Sequence, residues 1–583
     1  MFVRWATRCL PGFSILALLV LLLSASDAIP GPWRDQTKSK SDMPQLNLAQ
    51  KIFILYSILV HLNTLLFTGR LSWALSYAFA ETSKVLKRRD HSLSGAWKQS
   101  GPLDDPFSTA MNKKSPRVSV AEVAEEVTHA IIIPNYNEDI YTLRETLDVL
   151  ARHPRARSQY EVYLAMEQKE VWAAEKAEKL VCSFEKSFAL IQPTFHPTGL
   201  PFEIAGKSSN VAFAARHIAQ IHQAEPEAGT CDVIITVMDA DTNLWQDYFT
   251  EIRRLHYAHP TTSNRTLYSC PIIFDRNSND SPILVRCADL LWSFAGLSTM
   301  YPGSTVSIPT SVYSLPLTLA STVGGWDSDP TSIGEDMHMM LKCYFETNGD
   351  LVSQVVHAPA SQCNVSSEIT RPGLRRELDT CVARYRQALR HMWGALDTGF
   401  AARNTLRLVK SSDWRCLLLR PRHLGLMHLL WEAHFLPCHF TILLLFSMIY
   451  EQTASYTAPH TATPLHPAIT FTFTLTAFIR ALSFIWMNIC ISLYNRWYKI
   501  CLDTRKQDTQ LNSFSVNTGL SEGSGFSDRT PWYRLTFLLE RIAFPIAGTV
   551  FGAVPTVHAV FMHFRTDTLV YRVSKKPAFV VAV

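Results

Sequence analysis

The sequence predicts an α/β domain built on a mostly parallel, Rossmann-like sheet and joined to an α-helical transmembrane bundle. Three observations predict it. Hydrophobic residues make up 47% of the 583 positions and charged residues 18%, an apolar balance for a water-soluble chain. The excess is gathered into runs at Phe13–Ala25, Ile52–Thr68, His423–Tyr450, Ala468–Tyr494 and Leu535–Phe564. Between the second and third runs, short β-branched stretches alternate with helical patterns, as in a sheet covered on both faces.

A helix needs about 20 apolar residues to cross a bilayer. The three C-terminal runs have that length, and Ile52–Thr68 reaches it by extending into Arg70–Phe79. Arg4 and Arg8 precede the first run, which ends in Ser24-Ala25-Ser26-Asp27-Ala28. That pattern fits either a signal peptide cut after Ala28 or a retained first span. Both readings leave the middle of the chain on one side. Lys84, Lys87, Arg88 and Arg89 follow the second run, Glu451–Pro467 has no Lys or Arg, and Arg496, Lys499, Arg505 and Lys506 come next. This alternation places the middle region in the cytosol. Arg565, Arg572, Lys575 and Lys576 conflict with a single final crossing. A re-entrant segment or hairpin at Leu535–Phe564, which carries Pro545, Pro555, Glu540 and Arg541, would remove the conflict. The resulting division is residues 1–28 as signal peptide or first span, 49–83 as a transmembrane region, 84–127 as linker, 128–415 as the cytosolic α/β domain and 416–583 as about three further spans.

The 12 cysteines include no CxxC pair, which argues against a zinc site and a disulfide framework. Sequons at Asn264, Asn279 and Asn364 would go unused in the cytosol. The net charge of +5, without a basic-aromatic run, gives no sign of nucleic-acid binding.

Within the middle region, His129–Ile133 reads as a buried strand ended by Pro134, Ile140–Arg152 as an amphipathic helix and Tyr160–Met166 as a strand. Lys169–Ala189 and Ser209–Gln223 read as helices, and Asp232–Met238 as the clearest strand. Ligands of such sheets sit beyond the carboxyl ends of the strands. Asn135–Glu138, Glu167 and Asp239–Asp241 all fall there.

Asp239-Ala240-Asp241 offers two hard carboxylates to Mg2+ or Mn2+ bridging a diphosphate; an ordinary acidic turn is the plainer reading. Asp336, after Glu335 at the start of a helical stretch, is placed to act as a general base or simply to favour a helix N-terminus. Gly324-Gly325-Trp326-Asp327 is a turn whose Trp either stacks on a sugar or packs. Gln387 and Arg390 share a helix face and Trp393 stays near it, suiting a phosphate clamp with an aromatic platform, or an amphipathic surface helix. Gly206-Lys207-Ser208 lacks the glycine that a Walker motif needs, leaving Lys207 and Asn210 as candidate nucleotide contacts.

In this order the pieces resemble the membrane-bound processive members of glycosyltransferase family 2, such as cellulose, chitin and hyaluronan synthases, in a fungal-like variant. Pro134-Asn135-Tyr136-Asn137-Glu138 is similar to the opening P-x-Y-N-E, Asp239 and Asp241 to the Asp-x-Asp motif, Val323–Lys342 to the GG-aromatic-D…ED stretch, and Gln387, Arg390 and Trp393 to QxxRW. The resemblance covers about Thr128–Gly394 and the layout of the spans. It implies a GT-A fold, inverting transfer from a UDP-sugar and a divalent metal. It further implies Asp239 and Asp241 at the metal and diphosphate, Asn137, Glu138, Glu167 and Lys207 at the nucleotide, and Asp336 with Glu335 at the catalytic position. Gln387, Arg390 and Trp393 would line the acceptor and diphosphate end. The sequence departs from the family at Glu167, where Asp is usual, at Gly334, where Thr is usual, and at His391, which displaces Trp to position 393.

The function this implies is sugar transfer to a saccharide acceptor, as in polysaccharide synthesis, by a multi-pass protein of the plasma membrane or Golgi. Single-sugar transfer to a lipid acceptor is one alternative. A non-catalytic transporter or scaffold with a degenerate transferase domain is another, in which Arg480, Glu540 and Arg541 would mark a path.

Overall fold

The structure, a computed structural model, describes residues 2–26, 45–99, 127–201, 203, 206–224, 232–367, 369, 371–411, 420–457, 466–513 and 535–569. Ala28, Arg572, Lys575 and Lys576, on which part of the topology argument rests, lie outside the described residues, as do most of 84–127 and of the loop after Glu451.

Nine strands are described: β1 Val127–Asn135, β2 Tyr160–Glu167, β3 Leu190–His196, β4 Asp232–Val237, β5 Thr266–Ser269, β6 Ile272–Phe274, β7 Tyr313–Pro316, β8 Val352–Val355 and β9 Ala360–Gln362. Seven form one sheet in the order β3-β2-β1-β4-β7-β5-β8, and β6 pairs with β9. β1 runs parallel to both β2 and β4, β2 runs parallel to β3, and β7 is antiparallel to β4 and β5. This is the mostly parallel sheet that the sequence predicts.

Side-chain alternation builds the two layers. Ile131 and Ile133 of β1 join one core with Leu143, Leu147 and Leu150 of the helix Ile140–Ala151. Ala130 and Ile132 join the other with Val211, Ala214 and Ile218 of the helix Lys207–Ala224. The chain moves from β1 outward to β2 and β3, then returns to place β4 on the other side of β1. That reversal opens a crevice at the carboxyl ends of β1 and β4, the position where open α/β sheets hold ligands.

Among the described residues, three helices are long and apolar enough to cross a membrane: Leu48–Asp90 (within the helix Leu48–Gln99), Pro467–Asp508 (within Pro467–Ser513) and Leu535–Met562. Two bent pairs, Phe2–Arg8 with Leu10–Ala25 at 61° and Pro421–His434 with Leu436–Gln452 at 55°, raise the number to as many as five. The segment 84–99, expected as linker, instead continues the helix Leu48–Gln99, and no hairpin interrupts Leu535–Met562; a π-helical turn at Thr549–Ala553 takes its place. Rows of exposed apolar side chains such as Leu55, Leu59, Leu62 and Leu66, or Phe471, Phe478 and Ile485, are surfaces that water disfavours.

The two longest helices divide into halves. Phe53 and Val60 pack with Leu18, Leu22, Leu443, Ile469 and Phe473. Further along, Trp497 Nε1 donates to Thr82 Oγ1 at 3.1 Å, and Thr82 Oγ1 donates to the carbonyl of His357 at 3.2 Å. Arg505 donates to the carbonyls of Asn243 at 3.1 Å and Pro359 at 2.7 Å. The two described ends of the chain meet each other: Trp5 Nε1 donates to the Phe564 carbonyl at 3.1 Å and Arg8 pairs with Asp567 at 2.9 Å, while Arg4 pairs with Asp329 at 3.6 Å.

Candidate active site

Lys207, the first residue of its helix, reaches across the crevice and forms ion pairs with Asp239 at 2.7 Å and Glu335 at 3.1 Å. Asp239 lies just past β4, and Glu335 opens the helix Glu335–Glu346. One lysine therefore joins three of the predicted pieces. Its pKa is raised: the carboxylates of Asp239, Glu335 and Asp336 outweigh its burial and keep it charged.

The adjacent acids at the helix start occupy different surroundings. Glu335 is 4% exposed. One of its oxygens takes the Lys207 contact, and the other accepts from Tyr313 Oη at 3.1 Å, which in turn accepts from Trp326 Nε1 at 2.6 Å. Burial, reinforced by Asp336 and Asp239 and opposed by Lys207, pushes its pKa up to about 7. Asp336 is half-buried, and its Oδ1 accepts from the Met337 N–H at 2.8 Å. Its pKa is raised chiefly by burial. Asp336 is thus the more open of the two acids, while Glu335 is buried and Trp326 takes the packed alternative.

Asp241 does not join this cluster. It is 4% exposed, its Oδ2 accepts from the Cys363 N–H at 3.2 Å, and its carbonyl accepts from Arg276 at 2.5 Å. Arg276 also pairs with Glu145. Asp239, by contrast, has a side chain 35% exposed. Among the described residues no group of three or more His, Cys, Asp or Glu converges as a metal cage. One or two carboxylates completed by substrate phosphates suffice for Mg2+, so the half-open Asp239 is the carboxylate here that would hold such an ion.

On the other side of the crevice, Asn137 has a φ of +54°, a left-handed conformation that Asn tolerates better than most residues. Its N–H donates to Glu170 Oε2 at 3.0 Å, and Lys176 Nζ donates to the Glu138 carbonyl at 2.9 Å. Glu167 is 3% exposed and its Oε2 accepts from His196 Nδ1 at 3.2 Å; Glu203 holds the other ring nitrogen at 2.9 Å. Those acids raise the pKa of His196. Glu167 Oε1 and Asn210 Oδ1 are buried without a hydrogen-bond partner among the described residues, polar atoms suited to a bound nucleotide.

The last signature forms the end of the helix Leu374–Met392. Gln387 is buried and accepts from Arg384, which pairs with Asp289 at 3.2 Å; Arg390 is half-buried. Trp393, expected as a platform, is instead 2% exposed, donates to the Asp567 carbonyl at 3.1 Å and stands edge-on to His563. His391, the residue that displaces it, lies against Trp292 with ring centroids 4.4 Å apart. Trp393→Ala is therefore expected to cost about 3–5 kcal/mol of stability, read as a fall in the unfolding temperature larger than any change in donor affinity.

Sequence reasoning passed over His338. It lies 2% exposed two residues beyond Asp336, with Nδ1 2.5 Å from Asp397 and Nε2 3.1 Å from Asp327. Lys342 also pairs with Asp327 at 2.6 Å. His338 thereby ties the GG-aromatic-D turn, the Glu-Asp helix and the segment after Trp393 together. Its place on the same helix as Asp336 was a signal; Asp397 carried none.

Residues 234–499 match the family model described as Glycosyl transferase family group 2. The protein is a glycosyltransferase. The match opens in β4, takes in Asp239, Asp336 and Arg390, and spans a little under half of the chain. Two solved structures are similar to the glycosyltransferase. One is the mannosyltransferase PcManGT from Pyrobaculum calidifontis in complex with GDP-Man and Mn2+, at 14% identity and a TM-score of 0.38, over 76% of this chain and 99% of that one. The other is S. aureus TarS, at 12% identity and a TM-score of 0.26, over 41% of this chain and 37% of that one. No curated protein matches the sequence.

Proposed function

We propose that the protein is a membrane-embedded, inverting glycosyltransferase that moves a sugar from a UDP-sugar to a saccharide acceptor, in polysaccharide synthesis. The observation that carries this reading is Lys207 bridging Asp239 and Glu335, because it brings the strand-end acid and the helix start that carries Asp336 to one crevice. Asp336 takes the proton of the acceptor hydroxyl as that oxygen attacks the anomeric carbon and the bond to the diphosphate breaks. Lys207 holds Asp239 and the buried Glu335 in place beside the leaving diphosphate. Asn137, Glu138 and Glu167 face the nucleotide, and Gln387 and Arg390 support the acceptor end. A divalent ion held at Asp239 would offset charge on the leaving group.

The membrane reading has its own support. The first described helix pairs with the segment just after the last one, Trp5 with Phe564 and Arg8 with Asp567, which suits a retained helix at Leu10–Ala25. Leu535–Met562 meets the α/β domain at both ends. Arg286 of the helix Ile283–Leu297 pairs with Glu540 at 2.9 Å near its start, and Trp393 stands against His563 just past its end. An interfacial course for Leu535–Met562, with Leu535, Leu538, Ile542 and Ile546 exposed to lipid, keeps Arg565 cytosolic and removes the charge conflict. Asn364 is 2% exposed and its amide donates to Ser281 at 3.2 Å, in keeping with an unused sequon.

The test is release of nucleoside diphosphate by the full chain in detergent, across a panel of UDP- and GDP-sugars with Mg2+ or Mn2+. Turnover with one donor is expected, together with its loss on chelation and in Asp239→Asn. Turnover that survives chelation would remove the metal, and silence with every donor would favour the scaffold reading.

A further inference from the structure

One cavity lies apart from the crevice. It encloses about 330 Å³ between the helix Leu48–Gln99, the helix Asp247–Ala258, the loop 299–307 and the sheet edge at β8. β8 is three strands from β4, about 14 Å at the usual strand spacing, so the cavity is separate from the Asp239 crevice.

Tyr77, Glu81, Val85 and Arg88 line it from one face of the long helix. One turn before Tyr77, the exposed ring of Trp73 lies 5.3 Å from that of Tyr301. Aromatic pairs of this kind collect at the headgroup level of a membrane. Beyond them the same helix turns basic, with Lys84, Lys87, Arg88 and Arg89.

Within the wall, the cluster of Arg88, Glu251 and Arg254 holds more positive than negative charge. Glu251, 7% exposed, is shared by Arg88 at 2.9 Å and Arg254 at 2.8 Å. Glu81 is matched by Lys84 at 2.7 Å. Two guanidiniums on one carboxylate leave one positive charge over, and each retains an Nη1 group that the Glu251 contacts do not use. Deeper in the wall, His357 is 9% exposed and its Nδ1 has no hydrogen-bond partner among the described residues. Burial pulls its pKa down to about 4, so the ring is neutral and adds no charge of its own.

We propose that this cavity is a second ligand site that takes a phosphate group at the bilayer surface, carried by a lipid headgroup or free in solution. The phosphate supplies the anion that the Arg88–Glu251–Arg254 fork lacks, and His357 Nδ1 gains a hydrogen-bond partner. The inference rests on the membrane reading above. A lipid source fits the aromatic mouth and the basic turn that follows it.

The full chain in mild detergent is titrated with short-chain phosphatidic acid, short-chain phosphatidylcholine and inorganic phosphate, while the unfolding temperature is followed. Phosphatidic acid is expected to raise it, with phosphatidylcholine well behind. Arg254→Gln is expected to weaken the apparent affinity about tenfold or more, the loss of one charge-assisted hydrogen bond. Arg254 is 46% exposed on its side chain, so its replacement leaves the fold intact, and His357→Leu serves as the second variant. An equal shift with inorganic phosphate, lost in Arg254→Gln, assigns the site to a free anion. Shifts unchanged in both variants, or absent with all three probes, overturn the site. Nucleotide-sugar turnover in the same preparation separates the two proposals, because it can fail while the phosphate response stands.

Discussion

Asp336→Asn is expected to lower sugar transfer by about 10²–10⁴-fold, the usual contribution of a general base, while donor affinity stays near that of the native protein. The substitution keeps the size of the side chain and one acceptor oxygen for the Met337 N–H at 2.8 Å, so the helix start survives. It removes only the ability to take a proton. Burial raises the pKa of Asp336, with Asp239 adding and Lys207 opposing, which moves the carboxylate toward the basicity the step needs. Glu335 is a poor substitute, because Lys207 and Tyr313 already occupy its oxygens. Initial rates with the best donor and acceptor, beside a donor titration, make the measurement. Native-like transfer by the variant would remove Asp336 from the chemistry.

The sheet was legible because its signals are local. Ile131–Ile133 and Val233–Val237 are apolar, β-branched runs, and the structure forms β1 and β4 there. The helices at Ile140–Ala151 and Lys207–Ala224 begin and end within two residues of the sequence reading. The short strands β5, β7 and β8, of four residues each, were missed because their pairing is long-range and too few residues repeat to show a period. Strand ends located Asp239 and the helix start located Asp336. Sequence spacing could not separate an acid that faces the crevice from one that is packed away, as Asp241 is by Cys363 and Glu335 by Tyr313. Trp393 shows the same difficulty, since its partners, His563 and Asp567, lie about 170 positions further along.

His338→Leu is expected to destabilise the folded chain by about 3–5 kcal/mol, because it strands the buried carboxylate of Asp397, which pairs with the imidazole. Asp397 is fully buried, and with carboxylates at both ring nitrogens, His338 must carry both protons. Burial alone would lower its pKa, but Asp397 and Asp327 outweigh that and hold it up at about 9. An unfolded chain loses the same proton near 6.5. The stabilisation is therefore whole below about 6.5 and is lost as the pH rises through about 9. The native protein should lose unfolding temperature across that window, and His338→Leu should change less, so the gap between them closes at high pH. Asp327 keeps Lys342 at 2.6 Å as a second partner, which leaves Asp397 as the main casualty. His338→Leu combined with Asp397→Leu is accordingly expected to recover part of the loss, since a matched apolar pair replaces an orphaned charge. Because three signature segments meet at this ring, the single variant should also depress kcat more than it raises KM for the donor. Equal pH profiles for the native protein and His338→Leu would show that the imidazolium does not hold these segments together.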